Sequence, residues 1–142
     1  MILQFTIPGK VVAKQSFRYT RDGRKYINSD VKNYANWVRL CFKDTYPEHL
    51  PSVFFEKALG IEIRTYFEIP QGFSKKKRSM CLTGHIRPTV KPDTDNISKN
   101  IKDALNGIAY PDDKQVVYEC ISKYYGEEPY TLVTLKGFDN GN

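Results

Sequence analysis

Apolar and polar positions alternate along residues 2–8, Ile2-Leu3-Gln4-Phe5-Thr6-Ile7-Pro8. That period of two predicts a strand with one buried face. Residues 16–20 and 25–28 flank Arg21-Asp22-Gly23-Arg24, and Asp-Gly marks a hairpin because it accepts the positive φ of a tight turn. From Ser29 or Asp30, either of which can cap, the period changes to that of a helix reaching about Tyr46. Its apolar positions are Val31, Tyr34, Ala35, Val38, Cys41 or Phe42, and Thr45. Lys32, Asn33, Asn36, Arg39 and Lys43 lie opposite, and Pro47 stops it. Residues 59–69, rich in Ile, Tyr and Phe with Glu and Arg between, read as a long strand. The stretch 74–79 reads as a short exposed helix or a loop. A second principal helix is expected from about Asp95 to Asn106, ended by Gly107. Strands follow at about 116–124 and 130–136, joined by Gly126-Glu127-Glu128-Pro129.

The order of strands, helix, strand, helix and strands predicts an α+β fold. We expect one small domain over residues 1–142, with a mixed sheet and two principal helices. The length of 142 residues, with 40% hydrophobic and 27% charged positions, suits one modest core. No apolar run approaches the roughly 18–20 residues of a membrane helix, and Met1 to Pro8 carries no signal-peptide pattern. Cys41, Cys81 and Cys120 are odd in number and far apart, and neither His49 nor His85 joins them. They suggest packing thiols in a reducing cytoplasm rather than a zinc site or a disulfide framework.

Charge changes the picture by its distribution. The formal net charge is +6 and the isoelectric point is near 9.2. Residues 1–92 hold 17 Lys/Arg against 7 Asp/Glu, and residues 93–142 hold 5 against 9. A basic body attracts a polyanion, and a local acidic cluster can hold cations against it; solubility alone is the plainer explanation. The basic candidates for backbone contact with a nucleic acid are Lys14, Arg18, Arg21 and Arg24 around the hairpin, and Lys75, Lys76, Lys77 and Arg78. Phosphate contacts of this kind position DNA without reading its sequence. Phe17, Tyr19 and Tyr26 interleave with the hairpin cations and can stack on exposed bases or pack within a sheet.

The sharpest segment is Lys91-Pro92-Asp93-Thr94-Asp95-Asn96-Ile97-Ser98-Lys99. Pro92 favours extended backbone before it, and on an extended chain the side chains of Asp93 and Asp95 point the same way. Close carboxylates repel unless a proton or cation joins them, and oxygen ligands suit Mg²⁺ or Mn²⁺. In the helix that follows, Ile97, Ile101, Ala104, Leu105 and Ile108 form one stripe, while Asp95, Lys99 and Asp103 stand opposite at four-residue steps. Lys99 therefore lies one turn beyond Asp95. The competing explanation is that Thr94 or Asp95 caps the helix and Lys99 makes an i+4 ion pair. An EF-hand is excluded, because position six of such a loop would be Ser98 and position twelve Ala104. A second acidic stretch, Tyr110-Pro111-Asp112-Asp113-Lys114-Gln115, reads either as a turn or as a further ligand that the fold returns to the first pair. On the residues alone, Asp112 and Asp113 are equivalent candidates.

Taken together, Lys91–Lys99, then Asp103-Ala104-Leu105-Asn106-Gly107, then Asp112-Asp113-Lys114-Gln115-Val116 resemble the RusA-type Holliday junction resolvases. The likeness extends more weakly to Pro8-Gly9-Lys10, Lys14, the basic hairpin and the Tyr-containing helix. It implies a Mg²⁺-dependent endodeoxyribonuclease that acts as a homodimer on four-way DNA junctions and nicks two strands symmetrically in recombination and repair. It also implies that Asp93, Asp95 and Asp113 are catalytic metal ligands and that Lys99 is the functional lysine. Two other readings stay open: a non-catalytic nucleic-acid-binding module, and a metal-dependent nuclease for other branched DNA.

Overall fold

The computed structural model describes residues 1–12, 18–19, 21, 25–26 and 29–139. The chain forms strand β1 (Ile2–Pro8), a two-stranded antiparallel hairpin of β2 (Arg18–Tyr19) and β3 (Lys25–Tyr26), and helix α1 (Ser29–Thr45). Strand β4 (Ala58–Glu68), helices α2 (Lys75–Leu82) and α3 (Thr94–Leu105), and strands β5 (Val116–Gly126) and β6 (Tyr130–Phe138) follow. Lys14, Phe17 and Arg24, expected around the hairpin, lie outside the described residues.

The main sheet has the order β1-β6-β4-β5. β6 is antiparallel to both β1 and β4, and β4 is parallel to β5, so the sheet is mixed as expected. A parallel pair needs a crossover connection, and here that crossover carries α2 and α3. Although only Glu127-Glu128-Pro129 separate β5 from β6, the two do not pair; β4 lies between them. Gly126 makes the departure tight: a Cβ there would stand 3.4 Å from both the Glu128 carbonyl and the Tyr66 side chain.

The alternation read in the sequence sets the core. Leu3, Phe5 and Ile7 of β1, Leu59, Ile61 and Ile63 of β4, and Val133 and Leu135 of β6 are buried against Tyr34, Val38 and Phe42 of α1 and Ile97, Ile101, Ala104 and Leu105 of α3. Each aliphatic side chain so buried is worth about 1.5–3 kcal/mol of transfer free energy. The predicted stripe on α3 thus holds over four positions. Ile108 falls beyond the helix and packs against the core half-buried. The helix closes at Asn106, and Gly107 follows with φ 71°, a left-handed conformation that glycine adopts without steric cost.

Two expectations need correction. Cys81 is buried and Cys41 half-buried, but Cys120 is exposed on the outer strand β5, so it is not a packing thiol. The extended segment expected before Asp93 is no strand: residues 83–93 are irregular between α2 and α3. The strand β5 that pairs with β4 comes instead from the far side of α3.

Candidate metal and nucleic-acid site

Helix α3 carries the candidate residues at its two ends. Asp93 is the N-cap residue, with φ −69° and ψ 153°. Its carbonyl accepts the first intrahelical bond, from the Ile97 amide at 3.1 Å. Asp at this position ordinarily caps with its carboxylate, yet Asp93 makes no side-chain cap bond. Neither of the residues expected as alternative caps, Thr94 and Asp95, holds that position; both are in the first helical turn. Asp95 is therefore helical, and the same-side argument for an extended Asp93–Asp95 pair does not apply. Its charge suits the positive end of the helix. Asp93, Asp95 and Lys99 are all exposed.

The inner side of α3 is anchored by polar groups. Ser98, 2% exposed, donates to Glu119 Oε2 of β5 at 2.7 Å, and Lys102 Nζ stands 2.9 Å from the same oxygen. The Ser98 hydroxyl and then Lys102 hold the Glu119 carboxyl below its ordinary range, against partial burial. Asn100, 3% exposed, donates to the Val12 carbonyl and so ties α3 to the segment that leads toward the basic hairpin.

The C-terminal end of α3 meets a 3-10 turn at Asp113–Gln115. The two neighbouring aspartates do different work there. Asp112 is the N-cap: its Oδ1 accepts from the Lys114 amide at 2.9 Å, and the Gln115 side chain accepts from the Asp112 amide at 3.1 Å. This is a reciprocal capping box. Asp113 is not part of the cap. Its amide donates to Asn106 Oδ1 at 2.7 Å, and its carboxyl lies in hydrogen-bonding contact with that of Asp103. Partial burial, then the Asp103 carboxyl, push the Asp113 carboxyl above its usual value, while Asn106 opposes the shift. The buried Tyr110 lies beneath, its hydroxyl donating to the Lys102 carbonyl at 2.7 Å. Burial, with the charges of Asp113, Asp103 and Asp112 around it, raises its pKa strongly.

Asp113 is thus brought to Asp103, whereas Asp93 and Asp95 stand at the opposite end of a helix of 12 residues. Among the described residues, no group of three or more His, Cys, Asp and Glu side chains is gathered closely enough to hold a metal ion. The donor chemistry nevertheless fits a hard divalent cation. Two carboxylates in contact repel unless a proton or a cation joins them, and Mg²⁺ binds proteins through one or two carboxylates plus substrate phosphates rather than a full protein cage. Asp103 was placed on the Asp95–Lys99 face by helical spacing; its contact with Asp113 depends on the turn after the helix and has no local sequence signal.

The candidate DNA contacts are distributed beside these ends. The stretch at 74–79 proves helical: Ser74 caps α2, its hydroxyl accepting from the Lys77 amide at 3.2 Å. Lys75, Lys76 and Lys77 are exposed and Arg78 is half-buried. Lys77 Nζ lies 4.0 Å from the centre of the Phe73 ring, and Phe73 packs edge-on against Tyr125 of β5. Arg18 belongs to β2, and Arg21 is exposed in the turn of the hairpin.

Comparison with known proteins decides the kinship. The family model described as endodeoxyribonuclease RusA matches residues 8–136. The chain belongs to the RusA endodeoxyribonuclease family. The match spans both ends of α3, the capping turn, β5 and nearly all of β6. The chain is also similar to the uncharacterized protein YqaN of Bacillus subtilis (strain 168), at 34% identity over 139 residues, covering 94% of this chain and 95% of that protein. The resemblance read from the motifs is therefore borne out.

Proposed function

We propose that this RusA-family chain is a structure-selective, Mg²⁺-dependent endodeoxyribonuclease that cuts four-way DNA junctions by paired symmetric nicks, as a homodimer in the cytoplasm. A two-fold dimer would match the two-fold symmetry of such a junction. The observation that carries this reading is the Asp93 carboxylate, which sits at a helix N-cap without capping and is thereby left available in the motif that typifies the family. Asp93 and Asp95 at one end of α3, and Asp113 at the other, are the residues that would contribute ligands to one or two Mg²⁺ or Mn²⁺ ions. When bound, the ion supplies positive charge for the scissile phosphate and makes a water more acidic.

The chain's own groups do the rest. Asn106 fixes Asp113 at the turn by accepting from the Asp113 amide, and the Asp103 carboxyl faces that of Asp113 there. Lys99, exposed one turn beyond Asp95, stands beside the phosphate or the leaving oxygen and offsets charge there. Lys14, Arg18, Arg21, Arg24 and Lys75 to Arg78 meet the phosphate backbone and set the register of the duplex arms. Their contribution falls as salt rises, because each neutralised phosphate releases counterions.

The test is a labelled four-way junction and a matching linear duplex, each incubated with Mg²⁺ or with EDTA, beside Asp95→Asn. Paired cuts in the junction that need both Mg²⁺ and Asp95 are expected. Tight junction binding with no cut under Mg²⁺ or Mn²⁺ would instead assign the chain to non-catalytic nucleic-acid binding. Cuts confined to flaps or other branches would change the substrate class.

A further inference from the structure

The residues that precede Asp93 belong to no helix or strand, so backbone pairing does not set where the motif begins. Irregular segments of this kind open locally at low cost unless side chains hold them. Here the start of the segment is bound to the end of α2: the His85 and Ile86 amides both donate to the Met80 carbonyl, at 2.9 and 3.1 Å. The other end is bound to β5. Arg87 Nε donates to the Lys123 carbonyl at 2.8 Å, and the guanidinium lies 3.9 Å from the centre of the Tyr124 ring. Lys123 answers with its own side chain, whose amino group donates to the Val90 carbonyl and lies 5.3 Å from the centre of the Phe67 ring. β5 is an edge strand of the main sheet, paired among the described residues with β4 alone. Arg87 therefore supplies a donor to one carbonyl on that edge.

We propose that Arg87 and Lys123 are positioning residues that clasp the 85–92 segment to β5 and so fix where Asp93 and Asp95 stand. The inference rests on the nuclease reading for its catalytic consequence. Val90 is three residues before Asp93, a reach of at most about 10 Å, so the Lys123 bond controls the last part of the chain free to move before α3 begins. Lys123 is at the same time in β5, whose first residue follows the turn that holds Asp113. One strand thus carries the reference for both ends of α3: Glu119 holds the helix through Ser98 and Lys102, and Lys123 holds the entry loop. Arg87 Nε and Lys123 Nζ are engaged with backbone carbonyls, so the role assigned to both residues is positioning.

Arg87→Ala, Lys123→Met and the double variant test this, with Lys123→Arg as the conservative control. Junction affinity, its salt dependence, the single-turnover cleavage rate, Mn²⁺ affinity of the DNA-free protein and amide exchange across residues 85–96 are measured for each. The clasp predicts a cleavage rate and Mn²⁺ affinity lower by roughly 10–100-fold, the scale found when groups that orient metal ligands are removed. Junction affinity and its salt slope stay at the wild-type values, exchange across 85–96 accelerates, Lys123→Arg restores the rate, and the double variant is no worse than the poorer single one. Wild-type cleavage and exchange in the variants overturn the proposal. So does weaker junction binding with a shallower salt slope and an unchanged rate, which makes Lys123 a phosphate contact. If the wild-type protein leaves junctions uncut, the nuclease reading fails by itself, and exchange and Mn²⁺ affinity still decide for or against the clasp.

Discussion

The two ends of α3 present carboxylates in opposite ways. At the N-terminal end, Asp93 caps α3 where an entry loop without regular structure ends and Asp95 stands in the first helical turn; both are exposed, and the Asp93 side chain makes no cap bond. At the C-terminal end, Asp103 and Asp113 touch above the buried Tyr110, inside a turn fixed by the Asp112–Gln115 capping box. The second end joins that local capping box to bonds from far along the chain, since Gln115 Nε2 also donates to the Phe54 and Lys57 carbonyls at 2.7 and 2.9 Å. The first is set from a distance, by side chains of β5. A site divided in this way has one half braced by a regular turn and one half whose entry chain is placed by side-chain bonds to β5.

The sharpest way to break this comparison is to remove one carboxylate from each end. Asp93→Asn and Asp113→Asn should each lower junction cleavage by roughly 10²–10³-fold, the scale of losing one charge-stabilising group, with junction binding retained in gel-shift titrations. Loss from only one end would separate the two halves functionally. Asp112→Ala tests the capping turn against the site: it should cost about 1 kcal/mol of stability in denaturant melts while cleavage by the folded protein persists.

Two smaller effects differ in sign with pH. Glu119 is held below its ordinary range, so its contribution is present above the unfolded value of about 4.3 and is lost as pH falls through the folded one. Glu119→Gln should therefore cost about 0.5–1 kcal/mol near neutral pH, since the pair is partly solvated, and the variant and wild type should converge in thermal melts at acid pH. Asp113 is held above its ordinary range, so the folded state takes up its proton first and gains relative stability as pH falls from the folded value to the unfolded one. Asp103→Asn removes the like charge, lowers the Asp113 pKa, and should leave the protein at least as stable as wild type at neutral pH, by less than about 1 kcal/mol. Carboxyl titration by NMR checks the direction.

Much of this was legible along the chain. The alternation over residues 2–8, the helical stripe on α3 and the stop at Gly107 rest on periods and steric preferences expressed within one or two turns, and the structure has them within a residue or two. The motif from Lys91 to Val116 likewise carried the family. Local reasoning failed where an irregular segment replaced an expected extended one before Asp93, because Pro92 constrains its neighbour's angles without supplying a strand partner. It also failed at Cys120, whose exposure depends on β5 being outermost.

The sequence by itself determined the elements, their ends, the apolar faces and the kinship, since these depend on neighbours a few residues apart. Only the tertiary structure decided that β4 separates β5 from β6, that Asp113 meets Asp103, and that Lys123 holds the loop 33 residues before it. Those outcomes come from packing the whole sheet against α1 and α3, where strand order and long-range side-chain contacts are chosen by the burial they permit together and leave no mark on any short stretch of chain.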